Sequence, residues 1–227
     1  MVLVGSGDGH VPAALPAVLK EFTKAAIRTQ PRDLLVWALS YFKCLVDGTV
    51  PPVKDRLEFP VPVSSEGISP GILRVLHRQL SGRSPDGMLE WPTLGEACQA
   101  MGVRRRAVEE AWNLTESPDG DAGNRKPWDH LLSHLAGRGA ASVVEALQSV
   151  MFAVTDDPVT RRVPLQLVLD HYARIHAHAH SQDADLDQSR VVAVHQDGQD
   201  FLTEVAEHQG GYLVPSDLTR PSCPPLQ

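Results

Sequence analysis

Residues 11–45 read VPAALPAVLKEFTKAAIRTQPRDLLVWALSYFKCL, and their pattern decides the fold. The spacing of apolar residues predicts one helix over about 12–28 and a second over about 33–47. Pro12 fits a first helical turn, where its missing N–H costs no hydrogen bond, and Pro16 fits the same turn. Pro31 stops the first helix, and Asp33 begins the second at the end where the helix dipole favours an acid. Leu15, Val18, Leu19, Phe22, Ala25, Ala26 and Ile27 cover more of the first helix than the roughly 100° stripe one packing partner needs. On the second, Leu34, Ala38, Tyr41 and Leu45 form a stripe that Leu35, Trp37, Phe42 and Val46 widen. A hairpin of this length cannot bury so much apolar surface alone, since chains below about 40 residues rarely hold a core. Two hairpins in a four-helix bundle would share it. Any stripe left over could accept an amphipathic helix from outside.

The same run resembles the dimerisation/docking domain of the type II regulatory subunit of cyclic-AMP-dependent protein kinase. The similarity is carried by Val11-Pro12, Leu15, Val18-Leu19, Phe22-Thr23, Arg28, Gln30-Pro31, Asp33-Leu34 and Tyr41-Phe42. It is closer still to the ropporin family, through an AAIR-x-QP-x-DL-x-x-WA pattern from Ala25 to Ala38 and an x-G-x-x-PPV pattern from Asp47 to Val53. That family includes sperm-tail proteins and the ropporin-like radial spoke protein 11 of motile cilia, to which the chain is similar. The resemblance implies an X-type dimeric bundle, formed as a homodimer or as a heterodimer with a related docking-domain protein. Carried over by position, the groove for a partner helix would be Val11, Leu15, Leu19, Thr23 and Ile27. The dimer core would be Val18, Phe22, Ala26, Leu34, Ala38, Tyr41 and Phe42. Val18 departs from the kinase-subunit pattern, which has leucine there, and Lys20 and Lys24 border the groove, where they would favour an acidic partner flank.

What the resemblance implies for function is a non-catalytic adaptor that docks an amphipathic helix of the A-kinase-anchoring type. In spokes that helix belongs to the scaffold radial spoke protein 3, with other spoke subunits as neighbours. The implied location is the cytoplasm and cytoskeleton, in the axoneme of a cilium or flagellum. The alternative is a signalling adaptor that binds a kinase-anchoring protein in the cytoplasm or the sperm fibrous sheath. Kinase regulation is not implied, because neither a cyclic-nucleotide-binding domain nor an Arg-Arg-x-Ser segment is evident.

Outward from the hairpin, residues 1–10 read as a loose leader and 48–69 as an extended linker carrying Pro51, Pro52 and Pro60. Residues 70–215 read as a helical C-terminal body, and 216–227 as a tail. Ser69-Pro70 opens a helix to Leu80, and Thr93 with Glu96 has capping-box spacing for a helix to about Met101. Further helices are expected over 103–114, 128–135, 140–154 and 163–178, with two weaker ones near 187–195 and 199–208. Residues 115–127 read as a polar, turn-rich loop, and small strands could lie in 50–65 and 190–215. The fold class expected is all-α.

The remaining chemistry is mostly exclusion. A net charge of −7 argues against a nucleic-acid platform, and Arg104-Arg105-Arg106, near Glu109 and Glu110, reads as a solvated helix face. No run approaches the roughly 20 apolar residues that span a bilayer, so no membrane partner is expected. Cys44, Cys98 and Cys223 form no CxxC pair and read as reduced thiols. The leader's GxG lacks the spacing of a dinucleotide fingerprint. His171, His176, His178 and His180 cluster on one helix whose end is expected to be exposed. His176 and His180 have zinc-chelating spacing, but position 177 is alanine, so HExxH is absent. Asp183, Asp185 and Asp187 begin like a calcium loop that Gln188 and Val194 then break. No catalytic residue, metal site or cofactor is expected.

Overall fold

In a computed structural model, the described residues are 11–60, 64–117, 124–157, 159–180 and 188–226. The expected leader and the Asp183/Asp185/Asp187 run lie outside them. The molecule is built of helices with short two-stranded ladders, as expected: α1 (Leu15–Thr29), α2 (Leu34–Asp47), α3 (Pro70–Leu80), α4 (Trp91–Ala100), α5 (Arg105–Leu114), α6 (Trp128–Gly139), α7 (Val143–Val154), α8 (Leu165–His180) and α9 (Gln188–Glu207). Pro16 does lie in the first turn of α1. Asp33 caps α2, its carboxylate accepting from Leu35 N and Val36 N. Ser69 and Ser142 cap α3 and α7 in the same way, accepting from Ile72 N and Glu145 N.

The body repeats one plan. A helix leads into a loop, the loop ends in a short strand, and the next helix starts directly after it. β1 (Met88–Glu90) pairs antiparallel with β2 (Arg125–Pro127), Leu89 opposite Lys126, tying the α3–α4 loop to the α5–α6 loop. β3 (Val163–Pro164) pairs with β4 (Tyr212–Leu213), Val163 opposite Leu213, and ties the α7–α8 loop to the chain after α9. Helices α3, α6, α7 and α8 pack together around Leu73, Leu76, Leu131, Leu135, Leu147, Met151 and Tyr172, all fully buried. The C-terminal carbonyls of α7 at Phe152 and Thr155 accept from Arg74 Nη1 at 2.8 and 2.9 Å, locking α3 to α7. Leu218, in a 3-10 turn (Pro215–Thr219), and Leu226 are buried against this body.

Several expectations change. Thr93 is not a helix cap: α4 begins at Trp91, because the strand before it runs straight into the helix. Residues 125–127, expected within a polar loop, form β2, since their alternate backbone groups pair with β1. Val163 and Pro164 are strand rather than the start of α8, and the two weak C-terminal segments form one helix, α9. Among the described residues no strand lies in 50–65, whereas β4 falls in the second region expected to hold one.

Among its described residues, the segment between hairpin and body forms no helix or strand but makes fixed contacts. Trp37 Nε1 donates to Pro52 O at 2.7 Å, and Lys54 N donates to Thr29 Oγ1 at 3.3 Å. Lys54 Nζ, Ser69 Oγ and Gly71 N all donate to the Glu58 carboxylate, at 2.5, 2.8 and 2.8 Å. A Cβ at Gly71 would meet that carboxylate at 2.7 Å and push it out of place. Gln79 of α3 donates to Val50 O at 2.9 Å, and Arg32 Nη2 to Ser64 O at 2.9 Å. Residues 48–69 thus act as a strap across the hairpin.

Candidate docking site

The hairpin has a closed face and two open ones. The closed face is aromatic: Phe22 lies 5.5 Å from both Trp37 and Tyr41 and 5.0 Å from Phe42, ring centroid to centroid. Trp37 is fully buried, with Tyr41, Ala25 and Thr29 beside it. Desolvating the indole N–H costs little here, because Pro52 O accepts from it. The strap and the nearby body bury this face within a single chain.

The first open face lies on α1 and the turn before it. Val11, Leu15, Leu19, Thr23 and Ile27, the residues expected to line a groove, follow one another at i+4 and are all exposed, Ile27 at 65%. Thr23 Oγ1 donates back to Leu19 O at 2.8 Å, so its methyl group faces outward among the aliphatic residues. Beside the row, Lys24 pairs with Glu21 at 2.9 Å, which lowers the pKa of that carboxylate.

The second open face lies on α2. Leu35, Leu39 and Val46 are 83%, 73% and 85% exposed, and Phe42 stands between them on the same side. Their intervals of four, three and four residues are those of a helix-packing seam. Leu39 is absent from the sequence reading, which takes Leu35, Phe42 and Val46 as widening a neighbouring stripe; the spacing Leu35, Leu39, Phe42, Val46 is the signal that identifies the row. The expected dimer-core residues differ in exposure within the single chain. Val18, Leu34 and Phe42 are exposed, Phe22, Ala26 and Ala38 are half-buried, and Tyr41 is sealed inside the chain. Burial of Tyr41 therefore needs no second copy.

Elsewhere several titratable groups have structural partners or are sealed away. Arg105 and Arg106 pair with Glu109 and Glu110 at 2.7 and 2.8 Å, as a solvated helix face should. Cys44 and Cys98 are buried free thiols, and burial pushes Cys98 up to about 12. The histidine cluster is a correction. His171 and His176 are buried rather than exposed, because α8 is covered by α6 on one side and α9 on the other. His171 Nδ1 shares a 2.7 Å hydrogen bond with Ser133 Oγ, and burial pushes its pKa down to about 3. His176 packs against His180 and His195 at 4.4 and 4.9 Å between ring centroids and is lowered to about 4 by burial, then by those neighbours. Among the described residues no group of three or more His, Cys, Asp or Glu is placed to hold a metal ion. No helix there is long and apolar enough to cross a membrane.

Against known protein families, residues 6–49 match the ropporin N-terminal domain. The match takes in both helices of the hairpin and ends at the strap.

Proposed function

We propose that this protein is a non-catalytic structural adaptor, working from the premise that its N-terminal hairpin is a ropporin-type dimerisation and docking domain. The domain match supports pairing and anchoring-protein binding in general; the finer reading rests on the hairpin's two outward apolar rows. Isolated exposed leucines are unremarkable, but an ordered row is an interaction surface. The observation that carries the reading is that one short hairpin has two such rows while its aromatic face is already closed.

In this reading two chains, or one chain and a related docking-domain protein, pair by covering Leu35, Leu39, Phe42 and Val46 together with Val18 and Leu34. Pairing aligns two copies of the α1 row, and Val11, Leu15, Leu19, Thr23 and Ile27 become the floor of a groove. An amphipathic helix with apolar anchors at i, i+3/i+4 and i+7 fits such a floor. The partner is a helix of the A-kinase-anchoring type, in the radial spoke stalk of a motile cilium or flagellum a radial spoke protein 3-like scaffold, with further spoke subunits against the body. Lys20 at the groove edge selects an acidic flank on that helix.

The test uses the full chain. Light scattering gives its mass, and fluorescence anisotropy follows a labelled amphipathic helix from the spoke scaffold, with a proline-interrupted version as control. The reading expects a dimer that takes one helix per two chains and loses it on the proline change. A monomeric chain, or equal affinity for both peptides, refutes it.

A further inference from the structure

The paired loops of the body have the register of a known cation-binding unit. In the helix–loop–helix calcium motif a loop of about 12 residues places oxygen ligands at positions 1, 3, 5, 7 and 12, with glycine at 6 for a sharp turn. Between α3 and α4, Gly87 has φ +69° and stands at position six of 82–93. Strand β1 then occupies positions seven to nine and α4 starts at ten. The same register, strand then helix, recurs at β2–α6 and β3–α8. Ser84, Asp86 and the carbonyl of Met88 therefore fall at three, five and seven, the places of three oxygen ligands.

A cation already stands among them, and it is a side chain. Arg125 Nη2, from β2 of the paired loop, donates to Ser84 Oγ at 3.0 Å, to Asp86 Oδ1 at 2.9 Å and approaches Met88 O at 3.5 Å. Asp86 also accepts from Met88 N at 3.1 Å and from the Ser84 hydroxyl. Those two bonds and the guanidinium hold its carboxyl down at about 2. The rest of a calcium set is missing. Position one is Gly82, with no side-chain oxygen, and position twelve is Thr93 where a bidentate glutamate belongs. One carboxylate balances one guanidinium; it falls short of a divalent ion that takes six to eight oxygens. In the third loop, Asp157 is likewise committed to its own turn, accepting from Val159 N at 2.8 Å and Thr160 Oγ1 at 2.6 Å.

We propose that the Arg125 guanidinium is the resident cation of the 82–93 loop, so that this loop holds its geometry without calcium. The inference is independent of the docking reading, since no residue of the hairpin takes part.

The test is a terbium and calcium titration of the full chain, with Trp91 and Trp128 as luminescence donors beside the loop. The expected result for the wild type is no saturable emission up to about 1 mM terbium, the weak limit of calcium modules, and one melting temperature in calcium and in chelator. Arg125→Ala is expected to melt about 1–4 °C lower, and millimolar methylguanidinium to restore part of that loss without affecting the wild type. Arg125→Lys, which keeps the charge but puts a shorter side chain and a compact ammonium where Nη2 stands, should fall between them. Saturable terbium or calcium binding by the wild type that Asp86→Asn abolishes overturns the proposal. So does an Arg125→Ala protein with unchanged melting and no response to methylguanidinium.

Discussion

Replacing Trp37 with phenylalanine tests whether the strap holds the hairpin. The substitution keeps an aromatic ring against Phe22 and Tyr41 but removes the N–H that Pro52 O accepts at 2.7 Å. Trp37 is fully buried, so that carbonyl loses its partner where water cannot readily replace it. An unsatisfied buried acceptor costs about 1–3 kcal/mol. The smaller ring gives up apolar contact worth roughly 1 kcal/mol more. The sum is about 2–4 kcal/mol. In a chain of this size each kcal/mol moves the melting temperature by about 2–4 °C, so the expected fall is on the order of 5–15 °C. Urea unfolding followed by circular dichroism measures the loss directly, and the midpoint should drop without a change in slope. A fall of less than about 2 °C would mean that the strap is loose in solution and that the closed aromatic face is not closed.

Other perturbations separate surface from core. Leu39→Glu lies on the exposed α2 row, so stability of the single chain should change by no more than about 0.5 kcal/mol. Light scattering should nevertheless show the dimer lost. Ser142→Ala removes the side chain that accepts from Glu145 N at the start of α7; thermal melting should report a loss of about 1 kcal/mol. Acid should weaken the body through His171 and His176, whose folded pKa values lie near 3 and 4 against 6.5. Depressed histidines bind protons more readily in the unfolded chain, so the stability they contribute is present above about pH 6.5 and drains away as pH falls toward 4. The urea midpoint at pH 5 should lie well below that at pH 7.5, and His171→Gln should flatten the dependence; equal midpoints would refute the assignment.

Sequence patterns recovered the parts of this molecule governed by local rules. The end of α1 and the start of α2 followed from Pro31 and Asp33, and the body helices from apolar spacing, whereas α1 begins at Leu15, after Pro12, rather than near residue 12. The α1 row was named through the resemblance to ropporin-type domains, position by position, and its residues are exposed. The closed face could not, because Trp37 and Tyr41 are sealed by Pro52 and neighbouring residues of the strap, contacts that apolar periodicity does not encode. Residues 48–69 read as an extended linker for the same reason: prolines suggest extension, while the bonds to Glu58 that fix the segment come from Ser69 and Gly71, beyond its bends. Apart from the region holding β4, the ladders were not placed, because strands of two or three residues carry no period. Arg125 read as one more charge in a polar stretch, and only the pairing of β1 with β2 brings it to Asp86.

The strap also has a mechanical meaning. Glu58 knots residues 54, 69 and 71 together, and Arg32 and Gln79 stitch both ends of the segment down. A hairpin on a slack tether could swivel and would leave its body free to wander about the anchored helix. A hairpin stitched in this way acts as a bracket, and under the proposed docking role a load on a held helix would pass into the body with little play. In an assembly that bends repeatedly, such a part sets an angle and a spacing as well as a contact.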